Sequence, residues 1–267
     1  MLLLPSLAAA QNPTANSLRD LELCNGSERS SLDSRISACS TLIDSHQSTA
    51  AGLAISYNNR GNAYVAKGDY DRAIQDFNES IKLAPEFAKP YNNRGVASLL
   101  KGEYDLAIQT LDHAIRLDPG YAKAFANRAQ AHLKKNEYDA ASSDHDEAIR
   151  LTSDLDEVWS GRCWTRAVLG ALQAALEDCN RSLRSQLNKA ATYDSRGMVH
   201  LKMGALDAAV ADYSSALTFD PKLASSLYGR GLARLKKGDA IGGDADIAAA
   251  KAIRPTIVED FSRYGVR

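Results

Sequence analysis

The sequence lacks the features that mark several functional classes. Its 32 Lys and Arg residues nearly balance 33 Asp and Glu residues, so a formal net charge of −1 gives no electrostatic footprint for nucleic acid or an anionic membrane. The spacings CxxC and HxxxH, which are typical of zinc sites, are missing. No nucleophile elbow, phosphate-binding loop or paired-carboxylate motif is visible. We therefore expect no nucleic-acid partner, no cofactor, no metal site and no enzyme activity.

What the sequence does contain is a 34-residue period. Large apolar residues recur in one register and small residues in two others, and the six units from Ala54 to Ile257 keep the period without an insertion or deletion. The three registers are Tyr57, Tyr91, Phe125, Trp159, Tyr193 and Leu227; Gly61, Gly95, Ala129, Cys163, Gly197 and Gly231; and Ala73, Ala107, Ala141, Ala175, Ala209 and Gly243. A fixed period of this length indicates a repeat array.

Each unit predicts a pair of helices. In the unit Ala54–Phe87, Tyr57 and Tyr64 lie on one face of a first helix, A. Gly68 suits the left-handed residue that ends such a helix. A second helix, B, follows and stops at Pro85, because proline cannot donate a backbone hydrogen bond. One such pair cannot bury its apolar face alone, so neighbouring pairs must stack.

This pattern resembles the tetratricopeptide repeat family. One unit matches the family pattern at Tyr57, Gly61, Tyr64, Gly68, Tyr70, Ala73, Phe77 and Pro85. The resemblance implies an all-α, right-handed solenoid of about seven helix-turn-helix repeats, whose concave groove holds a partner peptide. The departures are local, since Ser153 and Leu187 replace the exit proline.

We predict one continuous domain over residues 17–267. The segment Leu18–His46 is interpreted as a degenerate first repeat, because Arg35–Asp44 parallels Ala73–Lys82. The predicted segments are repeat 1 at 17–49, repeat 2 at 54–87, repeat 3 at 88–121, repeat 4 at 122–155, repeat 5 at 156–189, repeat 6 at 190–223, repeat 7 at 224–257 and a short cap at 258–267.

Residues 1–10, MLLLPSLAAA, resemble the end of a secretory signal with a small-residue cleavage site. The alternative is a disordered tail. The run is too short to span a bilayer, so no membrane insertion is expected. Export predicts a bacterial periplasmic or secreted protein, and without export the protein would be cytoplasmic.

The four cysteines occupy corresponding places in two repeats. Cys163 and Cys179 lie at facing registers of helices A and B in repeat 5, and Cys24 and Cys39 lie at nearly the same registers in repeat 1. In an exported array this placement predicts two disulfides, each joining the two helices of a pair. The alternative is that the cysteines are small buried apolar residues.

An arginine recurs once in every unit, at Arg60, Arg94, Arg128, Arg162, Arg196 and Arg230. An aspartate follows sixteen residues later at Asp76, Asp144, Asp178, Asp212 and Asp246. Only repeat 3 departs, with Thr110, so Arg94 must find another partner. A basic stripe for nucleic acid is the alternative, but matched charges predict ion pairs between helices A and B.

The side of helix A opposite its packing face is the predicted groove. The predicted partner-binding residues are Asn58, Asn62, Val65, Lys89, Asn92, Val96, Leu99, Lys123, Leu133, Trp164, Asp194, Met198, Leu201, Tyr228 and Leu232. Trp164 and Tyr228 are the preferred anchors, because large aromatic side chains commonly anchor interfaces. The alternative for part of this floor is packing against the neighbouring helix A. Some family members grip a C-terminal carboxylate there, but Asn58 and Asn127 replace two of the three cations required.

These features favour a non-catalytic scaffold that binds a peptide segment or a partner helix of another protein in its groove. Two alternatives remain. One is a periplasmic carrier of a small apolar ligand, and the other is a metal-dependent enzyme built around His113 or His145. The sequence indicates neither the partner's identity nor the oligomeric state.

Overall fold

The computed structural model describes residues 15–26, 30–45, 49–152, 156–184 and 189–266. In these ranges the regular structure is α-helical throughout, with no strand. The helices are α1 Ala15–Cys24, α2 Leu32–Asp44, α3 Ala50–Ala66, α4 Tyr70–Leu83, α5 Ala88–Lys101, α6 Tyr104–Leu117, α7 Ala122–Lys134, α8 Tyr138–Leu151, α9 Asp156–Leu169, α10 Leu172–Ser182, α11 Lys189–Met203, α12 Leu206–Phe219, α13 Ala224–Lys236, α14 Ala240–Ile253 and α15 Ile257–Arg263.

Consecutive helices pack in pairs, from α1 with α2 to α13 with α14, and α15 follows the last pair. The predicted all-α helical-repeat solenoid is therefore confirmed, whereas its right-handed sense stays a prediction. The predicted export signal at residues 1–10 lies outside the described residues, as do Ser153 and Leu187. No helix in the described ranges is both long enough and apolar enough to cross a membrane.

The chain divides into two compact units between Asp118 and Pro119. Unit 1 contains α1–α6 and unit 2 contains α7–α15, and buried apolar clusters lie within each of them. Inside each unit the first helices of successive pairs contact one another, as α3 contacts α5 and α9 contacts α11. The first helices of a unit therefore share one side. The continuous domain over 17–267 and the individual repeat boundaries stay predictions.

The turns between paired helices are formed by left-handed residues. Gly68 has φ of 78°, and the backbone N–H of Asp69 donates to the carbonyl oxygen of Tyr64 at 2.9 Å, which closes the end of α3. The corresponding turn of unit 2 has Asn136 at φ 61°, and asparagine is among the few non-glycine residues that adopt this conformation readily. The 34-residue spacing of these turns sets the common length of the pairs.

The paired helices approach closely where the sequence places small residues. A Cβ atom built on Gly61 would lie 2.6 Å from Cε1 of Phe77, which is fully buried on the partner helix. Ala73 is also fully buried. The glycine at position 61 and the aromatic ring at position 77 therefore belong to one packing arrangement.

The last helix, α15, begins at Ile257, one residue before the segment 258–267 predicted as the cap, and continues to Arg263 inside it. It packs on α13 and α14, and it buries Ile257 and Phe261 almost completely. Beyond α15 the chain turns, and Val266 is buried as well. This C-terminal segment, 257–266, shapes the site of unit 2.

Candidate functional site

The arginine and aspartate ladders form bidentate ion pairs inside the helix pairs. Arg60 donates from Nε and Nη2 to the two carboxylate oxygens of Asp76, each at 2.8 Å, and Asp76 raises the pKa of Arg60. The same arrangement joins Arg128 to Asp144, Arg162 to Asp178, Arg196 to Asp212 and Arg230 to Asp246. All five carboxylates are buried, so the ladder is part of the internal packing.

Ladder arginines also contact the second helix of the preceding pair, which sequence reasoning missed; these are Arg60, Arg94, Arg162, Arg196 and Arg230. The Nη1 groups of Arg162 and Arg196 donate to Asp146 at 2.7 Å and to Asn180 at 2.8 Å. Arg94 depends on this contact, since its Nη1 donates to Asn78 at 2.7 Å. A polar residue sixteen positions before the arginine was the available sequence signal. The ladder therefore joins neighbouring pairs as well as the helices of one pair.

Repeat 3 lacks the aspartate, and the structure shows the consequence. Thr110 is buried at the aspartate position, and among the described residues its hydroxyl has no hydrogen-bond partner. The Nε atom of Arg94 likewise has none there. Burial lowers the pKa of Arg94, because no carboxylate compensates for the lost hydration.

Each unit contains one disulfide, which joins the two helices of a pair. Cys24 is bonded to Cys39 and Cys163 to Cys179, with Cα–Cα distances of 4.8 and 5.3 Å. The first bond links α1 to α2, and the second links α9 to α10. All four cysteines are buried, so each bond lies inside its helix pair.

In unit 1 the predicted groove contains a chain of asparagine amides. Asn92 donates to Asn93, Asn93 to Asn58, Asn58 to Asn59 and Asn59 to Asn25, at 2.9 to 3.3 Å. Asn58 and Asn92 are buried, so the prediction that they contact a partner is corrected: their amides link successive first helices. The adjacent Asn-Asn pairs in two consecutive units are the sequence signal for this chain of amides.

The other predicted residues on the first helices differ in exposure. Lys89 of unit 1 and Lys123 of unit 2 are exposed. Asn62, Val96 and Leu99 are half-buried. Val65 is also half-buried and packs against the core cluster that contains Phe77. These side chains remain candidates for contact with a partner.

In unit 2 the first helices enclose a cavity of about 920 Å³. Residues of α7, α9, α11 and α13 line it, and α15 adds Ile257 and Phe261. Of the predicted groove residues, Leu133, Trp164 and Asp194 lie on its wall. Lining residues that the sequence analysis did not assign to the groove include Gln130, His145, Ser160, Arg254, Phe261 and Tyr264.

The C-terminal segment forms one side of this cavity. The ring of Tyr264 meets the ring of Trp164 edge-on, with centroids 4.9 Å apart. Lys202 donates from Nζ to the carbonyl oxygens of Ala167 and Tyr264 at 2.7 and 2.9 Å, which ties the segment to α9 and α11. Arg263 reaches Asn136 at 3.2 Å. The segment therefore crosses the open side of the first helices of unit 2.

The C-terminal segment 257–266 shows that part of the predicted groove floor was wrong. Met198, Leu201 and Tyr228 expose only 1%, 5% and 8% of their surface, and all three belong to the core of unit 2. Tyr228 packs edge-on against Phe261 of α15, with centroids 4.8 Å apart. Leu232 packs against the same core. The three buried residues are therefore not available to a partner, and Trp164 alone of the two predicted anchors lines the cavity.

Asp194 is a buried carboxylate on the cavity wall. It accepts hydrogen bonds from the hydroxyls of Ser225 at 2.9 Å and Ser226 at 2.5 Å, which links α11 to α13. Burial raises the pKa of Asp194 to about 6, because the two serine bonds and the more distant Arg254 only partly offset the loss of hydration. The site thus holds a desolvated acid.

His145 and His113, the two histidines proposed for a metal site, have different surroundings. His145 is fully buried, and burial together with the positive charge of Arg162 lowers its pKa to about 4, so its imidazole is neutral. His113 stacks on Tyr91 with ring centroids 4.3 Å apart. In the part of the chain that the structure describes, no group of three or more His, Cys, Asp or Glu side chains could hold a metal ion. The metal-dependent alternative therefore has no ligand set in these ranges.

Fold and site together define a helical-repeat protein with a lined cavity on its first helices. Family comparison makes the class specific: a tetratricopeptide repeat profile matches residues 58–122 and 104–155, and a second TPR repeat profile matches 197–238. The matches cover a little over half of the 267 residues. The chain is a tetratricopeptide repeat protein.

Solved structures share this fold at low sequence identity. The Cut9–Hcn1 complex aligns with a TM-score of 0.74 and 18% identity over 96% of this chain and 49% of the other. A tetratricopeptide repeat protein from Parabacteroides merdae ATCC 43184 aligns at 0.67 and 15% over 94% and 100%. YrrB, described as a TPR protein with an unusual peptide-binding site, aligns at 0.53 and 21% over 71% and 98%. No curated protein sequence matches the chain significantly.

Proposed function

We propose that the protein is a non-catalytic scaffold that binds a peptide segment of another protein in the cavity of unit 2. One observation carries this proposal: successive first helices place amide, hydroxyl and carboxylate groups beside the rings of Trp164 and Tyr264 in one cavity. A peptide needs both kinds of contact, since its backbone requires hydrogen-bond partners and its side chains require pockets. YrrB, a fold neighbour, has a peptide-binding site, which agrees with this use of the fold.

The dimensions favour an extended segment over a partner helix. An α-helix with its side chains is about 10 to 12 Å wide and needs a long open groove. In unit 2 the C-terminal segment already covers part of the first helices, through Phe261 on Tyr228 and Tyr264 on Trp164. The remaining volume of about 920 Å³ suits a few residues of extended chain.

We further propose that the protein acts in an oxidising compartment, either the bacterial periplasm or outside the cell. The two buried disulfides support this location, because such bonds persist mainly outside the reducing cytosol. Thiol labelling of cell fractions, with and without prior reduction, tests it. Cysteines that are labelled without reduction would contradict the proposal.

A small-ligand carrier is the second candidate, because a cavity of this volume lies in the range of small-molecule sites. Its lining favours an amphipathic ligand over a wholly apolar one, since Lys134, Asp194 and Arg254 contribute to the wall. Native mass spectrometry of protein purified from its own cells distinguishes the candidates. A stoichiometric bound lipid would favour the carrier.

The direct test is photocrosslinking in cells from a photoreactive residue at Gln130, which lies on the cavity wall. Trp164 is a second position, where a bond to Tyr264 of the same chain would leave the protein's mass unchanged and is thus distinguishable. Glu177, exposed on α10 and outside the cavity lining, is the matched control. A discrete protein adduct at Gln130 but not at Glu177 is expected. The same adduct pattern at both positions would contradict the proposal.

A further inference from the structure

Asp194 differs from the other buried aspartates of the chain. Asp76, Asp144, Asp178, Asp212 and Asp246 each accept two hydrogen bonds from a ladder arginine. Asp194 is buried to a similar degree, with 9% of its surface exposed, yet no cation of the described ranges lies within ion-pair distance of it. A buried charge without a counter-charge is costly, so this exception calls for a function.

The bonds that Asp194 makes leave it able to accept more. Ser225 and Ser226 supply one neutral hydroxyl to each carboxylate oxygen. An ionised carboxylate has about four acceptor sites, so roughly two remain. Asp194 contributes to the cavity wall, as does its partner Ser225, so a group bound in the cavity lies next to this residue.

The chain's own cations do not take that position. Lys134 and Arg254 also line the cavity, but Arg254 is half exposed and its Nη1 lies 3.7 Å from a carboxylate oxygen of Asp260 on α15. Arg254 affects Asp194 only through longer-range attraction. The Trp164 and Tyr264 rings line the same cavity and offer apolar and π surface.

We propose that Asp194 binds the guanidinium or ammonium group of a basic side chain carried by the partner peptide. The inference rests on the proposed function and names its ligand class: a segment with an arginine or a lysine. The aliphatic stem of that side chain packs against Trp164 and Tyr264, as such stems do on apolar surface. The charged head forms charge-assisted hydrogen bonds with the carboxylate, the stronger kind.

The test compares two probes of equal shape on the full chain at about pH 8, where Asp194 is ionised. The probes are N-acetyl-L-arginine N-methylamide and its uncharged citrulline analogue, titrated by protein-observed NMR. We expect saturable millimolar binding of the arginine probe and at least about tenfold weaker binding of the citrulline probe. Equal affinities, or no saturable binding of the arginine probe, would overturn the inference without requiring any variant.

Two variants test whether the Asp194 carboxylate causes the preference for the arginine probe. Asp194→Asn keeps an oxygen acceptor for a serine and removes the charge, so the preference for arginine should disappear. Glu177→Gln removes an acid outside the cavity lining and should leave the preference unchanged. A preference that survives Asp194→Asn overturns the inference, and a thermal melt confirms that the variant is folded.

A third probe separates a peptide from a free small amine. Butylguanidine carries the cation without a peptide backbone, so it should bind more weakly than the blocked arginine. If it binds equally well, the peptide part of the inference is wrong. The inference and the proposed function fail in different ways: a crosslinked partner at Gln130 without an arginine preference refutes only the inference. An arginine preference without a crosslinked protein refutes the proposed function, and with it the peptide as the carrier of the cation, and leaves a cation-binding carboxylate at Asp194.

Discussion

At the scale of the residue, Thr110 interrupts an otherwise regular ladder and offers a gain-of-stability test. We expect Thr110→Asp to raise the free energy of unfolding by about 1 kcal/mol, because Arg94 is half-buried, its Nε atom is buried without a hydrogen-bond partner among the described residues, and no carboxylate compensates for its lost hydration. Chemical denaturation of the variant and the parent measures the difference. Thr110→Asn is the control of equal shape, and an aspartate variant less stable than the asparagine variant would contradict the expectation.

Arg162 forms ion pairs with one buried and one exposed carboxylate, so the stabilising effects of the two pairs can be compared. Its guanidinium contacts Asp178, whose side chain is 3% exposed, and Asp146, whose side chain is 51% exposed. Asp178→Ala should cost about 3 to 5 kcal/mol, because it leaves Arg162 and Arg166 without their buried partner. Asp146→Ala should cost less than about 1 kcal/mol, since solvent screens the exposed pair. Denaturant unfolding measures both losses, and a loss for Asp178→Ala as small as that expected for Asp146→Ala would disprove a structural role for the buried ladder.

Asp194 predicts a pH dependence of stability whose sign follows from its raised pKa. In the folded chain the pKa of the Asp194 carboxyl is about 6, whereas the pKa of an aspartate in the unfolded chain is about 3.9. Ionisation of the folded chain above pH 6 therefore costs stability, by up to about 2 to 3 kcal/mol, and this cost disappears as the pH falls below about 4. Asp194→Asn should stabilise the protein at pH 8 and have little effect at pH 4. A gain of equal size at both pH values would refute the assignment.

At the scale of the element, the α9–α10 pair contains the second disulfide. We expect the double variant Cys163→Ala/Cys179→Ala to lower the free energy of unfolding by about 3 kcal/mol, because the bond closes a loop with a sequence separation of 16 residues. The matched control is Cys24→Ala/Cys39→Ala, which opens a loop of almost the same length in unit 1. Denaturation with and without reductant measures both losses. A parent protein that is insensitive to reductant while its disulfides are reduced would contradict the expectation.

The helices were predictable from the sequence because their determinants are local. Gly68 adopts the left-handed turn that its position indicates, and Phe77 fills the space that Gly61 leaves open. The helix-pair pattern needs only such short-range rules, repeated every 34 residues. The asparagine chain from Asn92 to Asn25 required one more step, namely comparison of adjacent polar residues across successive repeats.

At the scale of the molecule, the candidate site was only partly predictable. The period predicts a groove on one side of the first helices, and three of the residues it selects, Leu133, Trp164 and Asp194, lie on the cavity wall of unit 2. Met198 and Tyr228 occupy the same predicted surface but are buried. The cover on Tyr228 comes from α15, which lies outside the period and whose path depends on contacts between residues distant in sequence. No repeat rule positions such a segment.

The position of α15 also predicts which helices lose stability when its core residue is removed. Phe261 exposes 2% of its surface and packs in the core of unit 2, so Phe261→Ala should cost about 3 to 5 kcal/mol. Because each unit has its own buried clusters, hydrogen exchange should accelerate mainly in α7–α14. Phe77→Ala, which empties a fully buried site in unit 1, should accelerate exchange mainly in α3–α6. If either variant accelerated exchange equally throughout the chain, the two units would unfold as one cooperative body, and the loss of α15 from the cavity could not be separated from global unfolding.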